Sequence, residues 1–166
     1  MRESRRLLDD ISYMNKYINL FREVFDMDNI PDIKCIVKNG KVISSIKVEF
    51  YDDEFYDNKY PFFITCTPYT HEDSTIEYML KLSLTRKSQG TTYVSNELTT
   101  WIDSNYFDNT IRSINVQELV KFSSRFSRWN TEWITNTKCG YKTDEILVQH
   151  ELEQKQWQVD FNLLFI

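Results

Sequence analysis

Apolar residues recur at helical spacing at the start of the chain. Leu7, Ile11, Met14, Ile18, Phe21 and Phe25 are separated by threes and fours, with arginine, aspartate, asparagine and lysine between them, and this predicts an amphipathic helix over residues 3 to 26. Asn29-Ile30-Pro31-Asp32 ends it, because proline cannot continue a helix and restricts the residue before it. The period then changes to two. Ile33, Cys35 and Val37 alternate with Lys34 and Lys38, Asn39-Gly40 supplies the positive-φ pair of a type I′ turn, and Val42, Ile46, Val48 and Phe50 alternate again, which reads as a β-hairpin. Tyr60-Pro61 opens a strand through Phe62, Ile64 and Cys66 that Pro68 closes. A further strand runs from Ile76 to Leu84, with Ile76, Tyr78, Leu80, Leu82 and Leu84 on one side and Glu77, Lys81 and Ser83 on the other.

After a polar turn containing Gly90, the spacing of Val94, Leu98, Trp101 and Ile102 predicts a short helix near 94 to 104. Val116, Leu119, Val120 and Phe126 predict another helix. At the end of the chain Ile146, Val148, His150 and Leu152 share a face, Glu153-Gln154-Lys155 is polar, and Trp157, Val159, Phe161, Leu163 and Phe165 alternate, which reads as a C-terminal β-hairpin with Trp157, Val159 and Phe161 facing inward. The expected fold class is α+β. An N-terminal helix and one or two further helices pack on an antiparallel sheet that ends in that hairpin, within a single domain over residues 1–166.

Composition narrows the function. With 41% apolar residues, 27% charged residues and a negative mean hydropathy, the chain can bury a core and is neither disordered nor membrane-embedded by composition. A formal net charge of -5 argues against whole-surface binding to nucleic acid. There is no alanine and there are only three glycines and three prolines, while isoleucine, asparagine, tyrosine and phenylalanine abound, the mark of an AT-rich genome such as that of many phages, other viruses or low-GC bacteria. Gly40, Gly90 and Gly140 stand alone, which argues against phosphate-cradling glycine loops.

Candidate chemistry is sparse. Cys35, Cys66 and Cys139 are too widely spaced for a CxxC motif and share no pattern with His71 and His150, so they read as reduced, packed cysteines with no metal or cofactor. A Mg²⁺-dependent nuclease needs an aspartate and a Glu-x-Lys brought to one ion. Asp32 with Lys47-Val48-Glu49 has the order reversed, and Asp144 with Glu153-Gln154-Lys155 would be held far apart on a strand with no Gly, Pro or Asn to turn it. Neither a nucleophile elbow nor a Cys-His signature occurs, and no catalytic residue is assigned. Lys121, Arg125, Arg128 and Lys138 among Phe122, Phe126, Trp129 and Trp133 read as core aromatics edged by snorkelling basic chains rather than as a nucleic-acid strip. The acidic-aromatic run Asp52, Asp53, Glu54, Phe55, Tyr56 and Asp57 reads as an exposed interface loop that steers a basic partner, and not as a cation site.

Four pieces, Tyr60-Pro61-Phe62-Phe63, Met79 to Thr85, Asn96 to Ile102 and Glu153 to Phe161, follow in an order that resembles the tail-terminator and neck proteins of tailed phages, which join the tail tube to the head. The resemblance implies a virion structural protein that forms a ring with itself and meets other virion proteins. Its contact with DNA would be at most indirect, as DNA passes through the ring, with no membrane partner and a cytoplasmic stage in the host before assembly. The helix, the strand meander and Tyr60-Pro61 are also similar to the ubiquitin-conjugating and RWD folds, although no cysteine follows in an active-site context. The functional alternatives are an acidic phage inhibitor of a host defence or transcription protein and, below it, the nuclease.

Overall fold

The computed structural model describes residues 5–8, 10, 13–25, 33–38, 41–50, 62–138 and 143–166. The Asn39-Gly40 turn, Tyr60-Pro61, Cys139 and the run from Asp52 to Asp57 lie outside the described residues. The architecture is α+β, with helices packed on one antiparallel sheet.

The sheet is a meander. Strands β2 (Ile33–Lys38), β3 (Lys41–Phe50), β4 (Phe62–Thr70), β5 (Ile76–Ser88) and β6 (Thr91–Asp103) lie side by side in chain order. The registers Val48↔Ile64, Ile64↔Leu82 and Leu82↔Leu98 carry the alternation of each strand onto the next, so one face is apolar and buried throughout. Pro68 sits inside β4 rather than ending it. The β5–β6 hairpin turns at Gln89 and Gly90, with φ of 51° and 82°, where glycine tolerates the left-handed backbone that a tight hairpin requires.

The chain start differs from expectation. In place of one helix over residues 3 to 26 there is a two-residue strand β1 (Arg6–Leu7), a 3₁₀ turn at Tyr13–Tyr17 and a helix α1 (Ile18–Val24). The reason lies in β4. Its pairing with β3 covers Phe62 to Cys66, and β1 takes the same edge further along at Tyr69 and Thr70, with the Leu8 amide donating to the Pro68 carbonyl at 3.1 Å. Met14, Leu20, Phe21 and Phe25 still enter the core.

The expected helix near 94 to 104 is strand β6. A bulge lies opposite Leu84 and Thr85, where Asn96 pairs with Leu84 but Val94 pairs with Thr85, so the strand changes phase at Ser95. Val94 and Trp101 therefore lie on the face opposite Leu98 and Ile102, and their spacing imitates a helix without making one.

Three helices follow: α2 (Phe107–Arg112), α3 (Val116–Lys138) and α4 (Asp144–Leu163). The helix expected from Val116 onward is present, and its buried Ser123 returns its hydroxyl to the Leu119 carbonyl at 2.8 Å. The expected C-terminal hairpin is overturned, because residues 144–163 form one continuous helix. The Thr143 hydroxyl caps its first turn by accepting from the Ile146 amide, and Asp144 and Glu145 complement the helix dipole there. In a helix, residues two apart lie about 200° apart around the axis. The alternation from Trp157 onward thus sends Trp157 and Phe161 inward and Val159 and Leu163 outward, where a strand would have sent all four to one side.

The core lies between the apolar sheet face and the helices. The Phe107 ring stacks on Tyr78 at 3.8 Å, and the Tyr78 hydroxyl meets that of Tyr13 at 2.8 Å. Burial, reinforced by that bond, pushes the Tyr78 phenol up, so it stays protonated. Phe122, Phe126 and Phe161 close the other end. Replacing the fully buried Phe161 by alanine is expected to cost about 3 to 5 kcal/mol, whereas Val159→Ala should change stability by less than about 0.5 kcal/mol. Urea unfolding of the two variants checks this, and equal losses would contradict the helical assignment.

Candidate functional site

The candidate catalytic residues are placed first. Cys66 is fully buried on the apolar sheet face, and burial pushes its thiol well above the ordinary range, which leaves it protonated and unreactive. His71 lies at the end of β4, and its Nε2 meets Glu77 Oε1 at 2.5 Å on the polar face, so Cys66 and His71 do not converge. Lys47 pairs with Glu49 at 3.2 Å, and Asp32 lies outside the described residues. Asp144, Glu153 and Lys155 share α4 rather than a strand. Among the described residues no group of three His, Cys, Asp or Glu side chains is placed to hold a metal ion. The basic-aromatic stretch is the core seam of α3. Phe122 and Phe126 are buried, Trp129 and Trp133 half-buried, and Lys121, Arg125 and Arg128 point to solvent.

The polar sheet face holds a small set of buried polar groups. The Ser45 and Thr67 hydroxyls share a hydrogen bond of 2.6 Å. Nearby, Arg5 lies 3.5 Å from Glu77 and stacks over the Trp101 ring at 3.9 Å. These groups satisfy one another and fix β1 to the sheet.

The arrangement with functional potential is α4 on the open edge of β6. Among the described residues no strand lies beyond β6, and Thr99 turns its backbone N–H and C=O away from β5. Gln158 takes both: its carboxamide oxygen accepts from the Thr99 amide at 3.1 Å, and its Nε2 donates to the Thr99 carbonyl at 2.6 Å. One turn earlier, Gln154 and Asn96 exchange amide hydrogen bonds of 2.8 and 3.0 Å. Asn130 of α3 joins them, accepting from Asn96 at 3.1 Å and donating to the Ser95 hydroxyl at 3.1 Å. The bulge is what brings Ser95 and Asn96 to the same helices.

On its inner side α4 packs against α3. Trp157 meets Phe122 and Phe126, the Trp129 indole donates to Glu153 at 3.0 Å, and the His150 ring lies between Trp129 and Trp133, with centroids 4.9 and 3.9 Å away. His150 is thus a packed structural histidine, on a helix rather than on the expected strand. Burial lowers its pKa, and the nearby Glu153 and Glu151 oppose that shift without cancelling it.

The outer side of α4 has no such partner among the described residues. Val148, Leu152, Val159 and Leu163 are 56, 55, 51 and 59% exposed and lie in one stripe, within about 60° of the helix circumference. A helix at the surface of a globular fold ordinarily carries one apolar face, and α4 carries two. The sequence placed an interface in the run from Asp52 to Asp57, which lies outside the described residues, and missed this stripe. The available signal was the unbroken stretch without Gly or Pro after Thr143-Asp144-Glu145, rich in Gln, Leu and Glu.

No protein-family model, no curated protein and no solved structure matches the chain.

The His150 environment sets a pH dependence. Its pKa is depressed in the folded state, so the unfolded chain binds the proton more readily. The stability that His150 contributes is present above its ordinary value of 6.5 and is lost as pH falls through the lowered folded value. Urea midpoints taken at about pH 7.5 and about pH 5.5 should drop less in His150→Phe than in the wild type. The same drop in both would show that His150 does not contribute.

Proposed function

We propose that this chain is a non-catalytic structural protein that works by assembling with other protein chains, in the setting its composition suggests, the head-to-tail neck or tail terminus of a tailed phage. The outward apolar stripe of α4 carries the reading. Four aliphatic side chains held in water on a helix already fixed to β6 represent unrealised burial, and protein association is the ordinary means of realising it. The fold pattern gives less support than the stripe does. Of the four pieces behind the phage resemblance, Asn96 to Ile102 is strand where a helix was expected, and Glu153 to Phe161 is helix where a strand pair was expected. No helix among the described residues is long and apolar enough to cross a membrane.

The alternative, an acidic inhibitor of a host protein, depends on the acidic run outside the described residues, and no observation favours it over assembly. Size-exclusion chromatography with light scattering, together with immunodetection in purified particles and in timed lysates, separates the two. The assembly reading expects a mass above one chain and late incorporation into particles. A strictly monomeric protein, absent from particles and captured early by one host protein, would replace it with the inhibitor.

A further inference from the structure

The outer stripe of α4 has an internal symmetry. Val148 and Leu152 precede its midpoint at Lys155-Gln156 by the same intervals at which Val159 and Leu163 follow it. Turned end for end about that midpoint, the stripe meets its own copy with Val148 against Leu163 and Leu152 against Val159. Every layer then combines one smaller and one larger aliphatic chain, the size complementarity that lets facing helices interdigitate.

From this we infer that α4 is a homodimerisation helix, pairing antiparallel with α4 of a second copy of this chain about a two-fold axis beside Lys155 and Gln156. The inference rests on the assembly reading above and names its partner as self. Three observations support a second copy over another occupant. The first is the palindromic spacing itself, which an isologous contact requires and a contact with an unrelated chain does not. The second is area: four side chains more than half exposed present on the order of 400 Å² per copy. Doubled, and with the stems of Lys155 and Gln156 added, this approaches the roughly 1,000 Å² that a specific interface needs. The third is charge. On one flank of the stripe, Glu151 of each copy lies about 7 Å along the axis from Lys155 of the other, within reach of the long lysine side chain, giving two opposite-charge pairs that offset the approach of the two lysines at the axis. On the other flank Glu153 is drawn toward α3 by the Trp129 indole, and Asp160 accepts from Gln156 at 2.9 Å, so both carboxylates are already partnered within their own chain. A two-fold contact joins copies in pairs, so a ring made from this chain would use a second, different surface between pairs.

The test uses the full chain. Light scattering at about 100 µM should give the mass of two copies or an even multiple for the wild type, and Leu152→Glu/Val159→Glu should reduce a two-copy mass to one copy, or a larger assembly to the unit that the second surface holds, with an unchanged circular dichroism spectrum because both positions already face water. Orientation is read separately in a background with Cys35 and Cys139 replaced by serine. Lys155→Cys should form a disulfide-linked dimer under mild oxidation, since the axis passes beside it. Leu152→Cys alone should not, because its symmetry mate would lie about 10 Å further along the helix, whereas a mixture of Leu152→Cys and Val159→Cys chains should cross-link. A wild-type oligomer that survives the double glutamate variant, or the absence of the Lys155→Cys cross-link, overturns this contact and leaves assembly standing through another surface. A wild-type monomer that is still found in particles overturns self-pairing and makes another virion protein the occupant. A monomer absent from particles overturns both readings.

Discussion

A strand at the edge of a sheet leaves peptide groups that must be bonded or wetted, and the way Thr99 is bonded determines much of what surrounds it. Gln158 offers a carboxamide with one acceptor and one donor, the same pair a neighbouring strand would present, and binds both backbone groups of Thr99. With Gln154 exchanging two bonds with Asn96 one turn earlier, α4 is held at two points along β6 and cannot rotate about its own axis. Fixing that rotation sends Trp157 and Phe161 into the core, seats His150 between two indoles, and leaves Val148, Leu152, Val159 and Leu163 facing outward. The exposed stripe follows from the edge-capping bonds rather than from any local property of those four residues.

The two ends of the core are stabilised in different ways. Near α1 and α2 the contacts are largely aromatic, with Tyr17, Phe21 and Phe107 gathered around Tyr78 and the tyrosine hydroxyls bonded to one another at the margin. Near α3 and α4 aliphatic strand residues meet Phe122, Phe126 and Phe161, and the polar network of Ser95, Asn96, Asn130 and Gln154 closes the boundary. A polar network at a buried boundary rewards one geometry and penalises its neighbours, because any shift leaves a donor or acceptor unpaired. That network sits at the bulge, so the irregularity of β6 and the placement of two helices form one construction.

The sheet was largely legible in the chain because its alternation is uninterrupted. From Ile46 to Leu84 each strand keeps its phase, and each pairs antiparallel with its neighbour in the chain. β6 was illegible because Ser95 shifts the phase, so that one set of apolar residues serves two faces. α4 was misread for a related reason: alternation has one meaning in a strand, where it fills a single face, and another in a helix, where it fills two opposed ones. The first meaning assumes that all the apolar residues belong to one core, and Val159 and Leu163 do not. The bonds that position the candidate surface were beyond reach for another reason, since Asn96 and Gln154 are 58 residues apart and polar side chains leave no periodic trace. Residues 121 to 138 were legible as core aromatics edged by basic chains, because Phe122, Phe126 and Trp129 keep helical spacing along a single face.

The separation of those bonds along the chain also orders the assembly of the molecule in time. β5 and β6 close through the tight turn at Gln89 and Gly90, so their ladder forms at little loop entropy, and each preceding strand adds to a neighbour already near it. α4 must return across the whole of α2 and α3 before Gln158 reaches Thr99, a span of 59 residues. The sheet therefore closes first and α4 seats last, an order that pulse-labelled hydrogen exchange at the Thr99 amide would read directly, with early protection there contradicting it. Until it seats, both apolar faces of the helix are open to water and to other chains. The nascent protein thus passes through a stage in which capture by a chaperone, or premature association with another copy, competes with the completion of its own edge.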